Sequence, residues 1–244
     1  MIISRFISDL PFVHKINAGP ASGLQFEVTL PRDKAVWKGT YEQEFASAIA
    51  RSITRGDVCY DVGAYRGYIS GVMALAGATK VVVFEPLPAN IHAIQRLQDL
   101  NPQLKIELLA VAVGNVHGSM RFIVLPDPSM GKVVTSPFQS DLASVYEIEV
   151  AMRRLDDLVK QGIIPKPNLI KIDVEGAELD VLKGAESILM ECHPLIFLEA
   201  HSKALEQACW RELQRLGYEV HRSGAEPARE QDARHLIARQ HEAC

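Results

Sequence analysis

Acidic residues stand at the ends of four apolar runs in this chain. They are Asp61 in VCYDV, Glu85 closing KVVVFE, Asp173 closing NLIKID and Glu199 in PLIFLEAH. Glu175 follows Asp173 by two positions, and His201 follows Glu199 by two. Carboxylates at such places can hold hydroxyl groups, face a cation or take a proton. On an extended segment, residues two apart point the same way. His201 is therefore the first candidate for a general base acting on an alcohol, with Glu199 orienting its imidazole or acting itself. The competing reading makes His201 a surface residue that caps the next helix. Asp173, Glu199 and His201 also form a set that suits a hard divalent ion such as Mg²⁺ or Mn²⁺. That reading ranks below a metal-free one, because spacing alone does not establish a site.

The stretch DVGAYRGYIS (61–70) places Gly63 and Gly67 directly after a short apolar run. Glycine permits unusual backbone dihedrals and close approach of a ligand. The spacing is GxxxG, whereas the dinucleotide fingerprint is GxGxxG. A bulky Tyr65 stands in the bend, which argues against a pyrophosphate there and favours a ligand with adenosine and a positive charge. The plainer alternative is an ordinary strand-to-helix turn. Glu85 suits the two hydroxyls of a ribose, as acidic strand ends do in nucleotide-binding α/β folds. Lys171 lies within an apolar run and needs a charge partner or solvent. Glu178 reads as negative charge favouring a helix N-terminus.

The elements that must position these groups alternate. Apolar runs at 58–62, 80–85, 105–113, 168–173 and 194–201 lack a two-residue alternation, as in strands covered on both faces. Helical patterns follow at about 67–76, 88–100, 176–190 and 203–216. Right-handed crossovers and a mainly parallel sheet follow from this order. YEVHR (218–222) and RHLIARQ (234–240) can add an antiparallel edge hairpin. Residues 1–50 form a preamble, with a strand at FEVTL (26–30) and a helix over 41–53 capped by Thr40. The main domain is then 51–244. Residues 114–154 break its rhythm: GSMRFIV (118–124) and VYEIEVAMRRL (145–155) read as strands around a loop rich in Pro, Ser and Gly. Within this hairpin-like insertion, residues 126–144, with Met130 and Phe138, are expected to cover an acceptor.

Composition narrows the function. A chain of 244 residues with 48% apolar content suits one large α/β domain. The net charge of −4 comes without a basic stripe, which disfavours a nucleic-acid partner. Cys59, Cys192, Cys209 and Cys244 show no CxxC spacing, so reduced thiols are expected rather than a disulfide framework or zinc site. Arg5, Asp9 and Pro11 interrupt the moderately apolar N-terminus, which does not read as a signal peptide. No stretch has the roughly 18 apolar residues of a membrane span. The expected setting is cytoplasmic.

The chain resembles the FkbM family of S-adenosylmethionine-dependent methyltransferases, within the Rossmann-like class I methyltransferase fold. The resemblance lies in WKGTYE (37–42), DVGAYRGYIS (61–70), VFEPLPAN (83–90), LDD (155–157), KIDVEGAELDVLKGA (171–185) and LEAH (198–201). It covers roughly residues 35–222, and its narrowest element is KIDVEGAE followed by an E-x-H strand end. The pair Tyr65-Arg66 departs from the small or polar pair usual in the family. The resemblance implies a three-layer α/β fold with a mainly parallel seven-stranded sheet and an antiparallel edge hairpin. It implies that Asp61, Gly63, Ala64, Tyr65 and Gly67 wrap the methionine end of the cofactor, with Asp173 nearby. Glu85 and Pro86 would hold the ribose, and Ala112 would line the adenine. Tyr41 and Glu42 would approach the sulfonium or amino group. Trp37, Tyr41, Tyr65 and Tyr68 are aromatic candidates for facing the cation, two or three of them as packing residues. The function implied is O-methylation of a hydroxyl on a small molecule, sugar or natural product, with His201, Glu199 and Asp173 as catalytic residues. The rivals are a nicotinamide-dependent oxidoreductase and a non-catalytic cofactor-binding module.

Overall fold

A computed structural model describes residues 10–124, 131–133, 146–224 and 234–240. Most of the insertion loop, including Met130 and Phe138, lies outside them, as do residues 1–9, 225–233 and Cys244. A small hairpin, β1 (Phe12–Lys15) and β2 (Gln25–Val28), opens the described chain, followed by α1 (Lys34–Lys38) and α2 (Gln43–Ser52). The alternating unit runs β3 (Val58–Val62), α3 (Tyr68–Leu75), β4 (Lys80–Phe84), α4 (Pro88–Leu100), β5 (Ile106–Leu109). A second sheet is built from β6 (Ala112–Val113), β7 (Gly118–Val124), β8 (Gly131–Val133) and β9 (Tyr146–Arg153). The chain then forms α5 (Leu155–Lys160), β10 (Leu169–Ile172), α6 (Glu178–Gly184), α7 (Glu186–Cys192), β11 (Leu195–Ala200), α8 (Lys203–Arg215), β12 (Glu219–Ser223) and β13 (Arg234–Arg239).

The main sheet has seven strands in the order β12-β13-β11-β10-β3-β4-β5. All neighbours run parallel except β13, which is antiparallel to both β11 and β12. Successive residues of the central strands feed opposite faces, as the pleat requires. Tyr60, Val82 and Phe84 pack with Leu182, Leu189 and Leu213 on one face. Cys59, Val81 and Val83 pack with Leu24, Phe26, Phe45, Ile49 and Ile94 on the other. The strands read as continuous apolar runs because both sides are covered. Preamble residues belong to the second of these clusters, so the preamble helix is part of the core of the sheet.

Four expectations change. The run 105–113 is not one strand. It breaks after Leu109, where Val111 N–H turns back to the Leu109 carbonyl, and β6 leaves to pair with β9 in the second sheet. The helix expected over 176–190 is two helices meeting at Ala185, whose backbone (φ −115°, ψ 10°) leaves the helical region; the preceding Gly184 packs so closely on Gly114 that a Cβ there would lie 2.0 Å from its carbonyl oxygen. Thr40 does not cap α2. Its hydroxyl donates to the Ala35 carbonyl and so closes α1, while Glu42 holds the cap position of α2 in left-handed backbone. β1 and β8 are additional strands for which the sequence offered no clear pattern.

Candidate active site

The strand order reverses between β3 and β10, whose neighbours continue in opposite directions. Ligands of open parallel sheets bind beyond the carboxyl ends of the strands at such a point. A cavity of about 440 Å³ lies there. Its walls include Gly63 and Tyr65 after β3, Glu85 and Pro86 after β4, Ala112 on β6, Asp173 and Glu175 after β10, and Glu199 with His201 at β11. Tyr41, Glu42 and Tyr68 close it from the preamble and α3. The structure thus brings together most of the residues expected from sequence. Asp61, Ala64 and Gly67 are not among the lining residues, and neither is Trp37, which packs its ring 5.7 Å from that of His14.

Asp61 supports the floor from beneath. It is fully buried, accepts a 2.5 Å hydrogen bond from Ser70 Oγ, and pairs with Lys171 Nζ at 3.2 Å. Lys171 also meets Asp173 at 3.3 Å and donates to the Gly63 carbonyl at 2.7 Å. Burial works against the ammonium, yet Asp61, Asp173 and Glu42 outweigh it and raise its pKa. The charge partner that Lys171 needs is therefore double. Glu85 is buried too. Its two oxygens accept backbone N–H bonds from Tyr65 at 2.9 Å and Leu87 at 3.0 Å. Burial pushes its pKa up to about 7 against these hydrogen bonds.

At the other wall His201 sits among carboxylates. Its Nδ1 donates to Glu178 Oε1 at 2.7 Å, and Nε2 lies 3.4 Å from both Asp173 and Glu175. Burial opposes the charged ring, but Glu178, Asp173 and Glu175 outweigh it and carry its pKa up to about 9. These carboxylates favour the protonated form of the ring over the neutral one. The group that orients it is Glu178, not Glu199: Glu199 lies 3.9 Å from Nε2 and bonds instead to His235 Nε2 at 3.1 Å. His235, on β13, stacks on Phe45 of α2 with centroids 4.4 Å apart. Glu178 and His235 are the site residues that sequence reasoning missed. Glu178 looked like a helix-end charge, and only its burial reveals more. His235 had no sequence signal. Asp173, Glu199 and His201 offer ligand-type atoms within 4.8 Å of one another. Each already has an ionic partner: Lys171 for Asp173, His235 for Glu199 and Glu178 for His201.

Among described residues, four non-glycine residues have left-handed backbone: Glu42, Tyr65, Glu175 and His193. The first three line the cavity. Backbone strain of this kind persists where the surroundings over-determine it and gathers at functional sites.

The departure at Arg66 has a structural role. Its guanidinium pairs with Asp33 at 2.9 Å, donates to the Glu27 carbonyl and lies 5.2 Å from the centre of the Phe26 ring. It pins the N-terminal hairpin to the glycine bend. Arg66→Met is expected to cost roughly 2 kcal/mol, from hydrogen bonds to a charged group in a half-buried place. The corresponding drop in melting temperature is about 4–8 °C for a chain of this size, measurable by scanning calorimetry.

Residues 61–220 match the model of the Methyltransferase FkbM domain. The hexuronic acid methyltransferase AglP of Haloferax volcanii is 29% identical over 163 residues, covering 66% of this chain and 63% of that protein. Methyltransferase 1 of Beauveria bassiana is 27% identical over 160 residues, with 53% and 64% coverage. The chain thus spans slightly under two thirds of the length of these curated relatives. The crystal structure of an FkbM methyltransferase from Methylobacillus flagellatus superposes with a TM-score of 0.56 at 19% identity, over 79% of this chain and 47% of that one. Magnesium protoporphyrin IX methyltransferase from Synechocystis, solved with bound S-adenosylmethionine, gives 0.51 at 15% identity over 88% and 86%. These structures share the fold. No helix of the described residues is long and apolar enough to cross a membrane.

Proposed function

Because the chain belongs to the FkbM methyltransferase family, we propose that it transfers a methyl group from S-adenosylmethionine to a hydroxyl of a sugar or other small molecule. The observation that carries this reading is the cavity wall. Glu42, Asp173, Glu175 and Glu199 converge on one space at the strand ends. Burial raises the proton affinity of Glu42, Asp173 and Glu175, and mutual repulsion adds to it. Such a wall suits a cation-bearing ligand, which would relieve the repulsion. The donor set fits the cofactor in other respects. Glu85 stands after β4 where ribose hydroxyls would lie, with Pro86 beside it and Ala112 towards the adenine. Tyr41, Tyr65 and Tyr68 offer aromatic faces to positive charge. S-adenosylmethionine supplies an activated methyl whose carbon–sulfur electron pair departs with sulfur. The protein's share is then to align the acceptor, exclude water and accept one proton.

The similarity to AglP supports a sugar as acceptor, and a hexuronic acid within that class. Arg32, exposed at the edge of the same cavity, is a cation that a uronate carboxylate would meet. The reading is metal-free, since the three ligand-type groups are engaged in ionic pairs. The cytoplasm suits it as well: Cys59, Cys192 and Cys209 are free thiols, as reducing conditions keep them.

Calorimetry decides the cofactor. S-adenosylhomocysteine is expected to bind one site per chain, and NAD is expected to give no heat at the same concentration. Binding of NAD alone would move the protein to the oxidoreductases. Turnover that vanishes in excess chelator and returns with Mg²⁺ would overturn the metal-free part of the reading.

A further inference from the structure

We propose that His235 is a positioning residue for methyl transfer: it holds the Glu199 carboxylate so that oxygen Oε1 meets the hydroxyl of the acceptor. The inference rests on the methyl-transfer reading above. The strand order motivates it. Gly63 and Tyr65 after β3 and Glu85 after β4, the residues suited to the cofactor, lie on one side of β10. Glu199, near the end of β11, lies on the other side. Strands of a sheet are about 4.8 Å apart, so three strand spacings put β11 roughly 14 Å from β4. A nucleoside over β3 and β4 therefore leaves the β10–β11 half of the cavity to the acceptor.

A glutamate on a cavity wall has no fixed direction of its own, and ordering it costs side-chain entropy. The fold supplies the restraint from behind. β13 pairs with β11 in a register that sets His235 directly opposite Glu199. Side chains of such a pair leave the sheet on one face, with Cβ atoms about 4.5–5.5 Å apart. His235 Nε2 bonds to Glu199 Oε2 at 3.1 Å, while Oε1 stands 3.9 Å from His201 Nε2, beyond hydrogen-bond distance. A carboxylate oxygen so placed can accept an alcohol O–H. Glu199 lines the cavity and His235 is not among the lining residues, so His235 reaches a ligand only through Glu199.

His235 is itself clamped. Its ring stacks on Phe45 of α2 with centroids 4.4 Å apart and planes 19° from parallel. Phe45 also meets Phe197 edge-on at 5.7 Å. Phe197 stands two residues before Glu199 on β11, so the two share a face of the sheet. Phe45 belongs to the helix whose cap residue Glu42, with Tyr41 before it, closes the cavity. One aromatic stack thus ties the preamble to the carboxylate at the acceptor's end. Side chains locked by packing and by a second hydrogen bond hold a reacting group in place. A misplacement of about 1 Å can cost about 10²-fold in rate, which is the scale of effect assigned to His235.

The test compares His235→Phe, which keeps a ring on Phe45 and loses the N–H, with His235→Gln, which keeps a donor. Turnover is measured with radiolabelled S-adenosylmethionine on a panel of free hexuronic acids and neutral hexoses. In His235→Phe kcat is expected to fall on the order of 10²-fold, and His235→Gln should recover to within about tenfold of wild type. Affinity for S-adenosylhomocysteine by calorimetry, and the KM for S-adenosylmethionine, should stay within about threefold in both. Glu199→Gln should lose as much as His235→Phe, and the double variant should fall no more than about threefold further, because the two residues act as one unit. Losses that multiply, or a His235→Phe enzyme with more than about half of wild-type turnover, would overturn the proposal. Adding His235→Phe to Glu199→Gln strands no carboxylate, so that comparison decides even where the single variant fails to fold. Crystal structures of wild type and His235→Phe with S-adenosylhomocysteine give a reading that needs no acceptor. The Glu199 carboxylate should shift by more than about 0.5 Å, and one that keeps its place without His235 would also overturn the proposal. If S-adenosylhomocysteine does not bind wild type, the methyl-transfer reading fails first. If it binds and Glu199 stays in place, only the role of His235 fails.

Discussion

Replacing Lys171 by methionine is expected to remove about 3–5 kcal/mol of folding stability, the penalty for stranding buried charge. Lys171 is buried between Asp61 and Asp173, and its third contact is the Gly63 carbonyl. Methionine fills the volume but leaves two carboxylates without their cation. The melting temperature should fall by roughly 6–20 °C in scanning calorimetry. The pH dependence identifies the cause. Without Lys171 a carboxylate takes up a proton more readily in the folded than in the unfolded chain, so the variant is weakest at neutral pH and regains stability as the pH falls towards 5. Adding Asp61→Asn to Lys171→Met should restore part of the loss even at pH 7. A variant that melts within 2 °C of wild type would mean that solvent already serves these carboxylates.

The second large effect separates the two glycines of the bend. Gly63 has a φ of +76°, and a Cβ there would lie 1.8 Å from the Asp173 carbonyl oxygen. That oxygen belongs to the chain that turns out of β10 and cannot give way without moving Asp173 itself. Gly63→Ala is expected to cost roughly 2–5 kcal/mol, combining left-handed strain with overpacking. It should also abolish S-adenosylhomocysteine binding, because the displaced segment carries Asp173. At Gly67 the nearest atom to an added Cβ is Leu97 Cδ2 at 2.8 Å, the far end of a flexible side chain. Gly67→Ala should cost about 1–2 kcal/mol, mainly from its φ of +81°. Equal melting temperatures for the two variants would refute this ordering. The glycine at 63 is thus demanded by the protein's own backbone, and a bound ligand is not needed to explain it.

The strand-end carboxylates were legible because a parallel sheet gathers all its carboxyl ends on one edge. Asp173 on β10 and Glu85 after β4 face one cavity for that reason alone. Apolar runs such as VCYDV and KVVVF marked their strands almost to the residue. What failed depended on partners distant in the chain. The break at Ala110 reflects β6 choosing β9, some 40 residues later, over the main sheet. Glu178 is a buried hydrogen-bond acceptor only because His201, 23 residues on, arrives over α6. His235 bonds to Glu199 because β13 inserts beside β11 and not at the outer edge. Periodicity reports which face of an element is apolar. It carries no record of which element will lie against that face.

The left-handed residues around the cavity have an implication for laboratory evolution. Exchanging Glu42, Tyr65 or Glu175 for glycine would relax the chain by about 1 kcal/mol at each position. A library screened for heat tolerance alone would drift towards those exchanges and strip three side chains from the cavity wall, the setting in which robustness is commonly gained at the expense of activity. Screens on this scaffold should therefore hold positions 42, 65 and 175 constant and seek their gains on the outer faces of the helices.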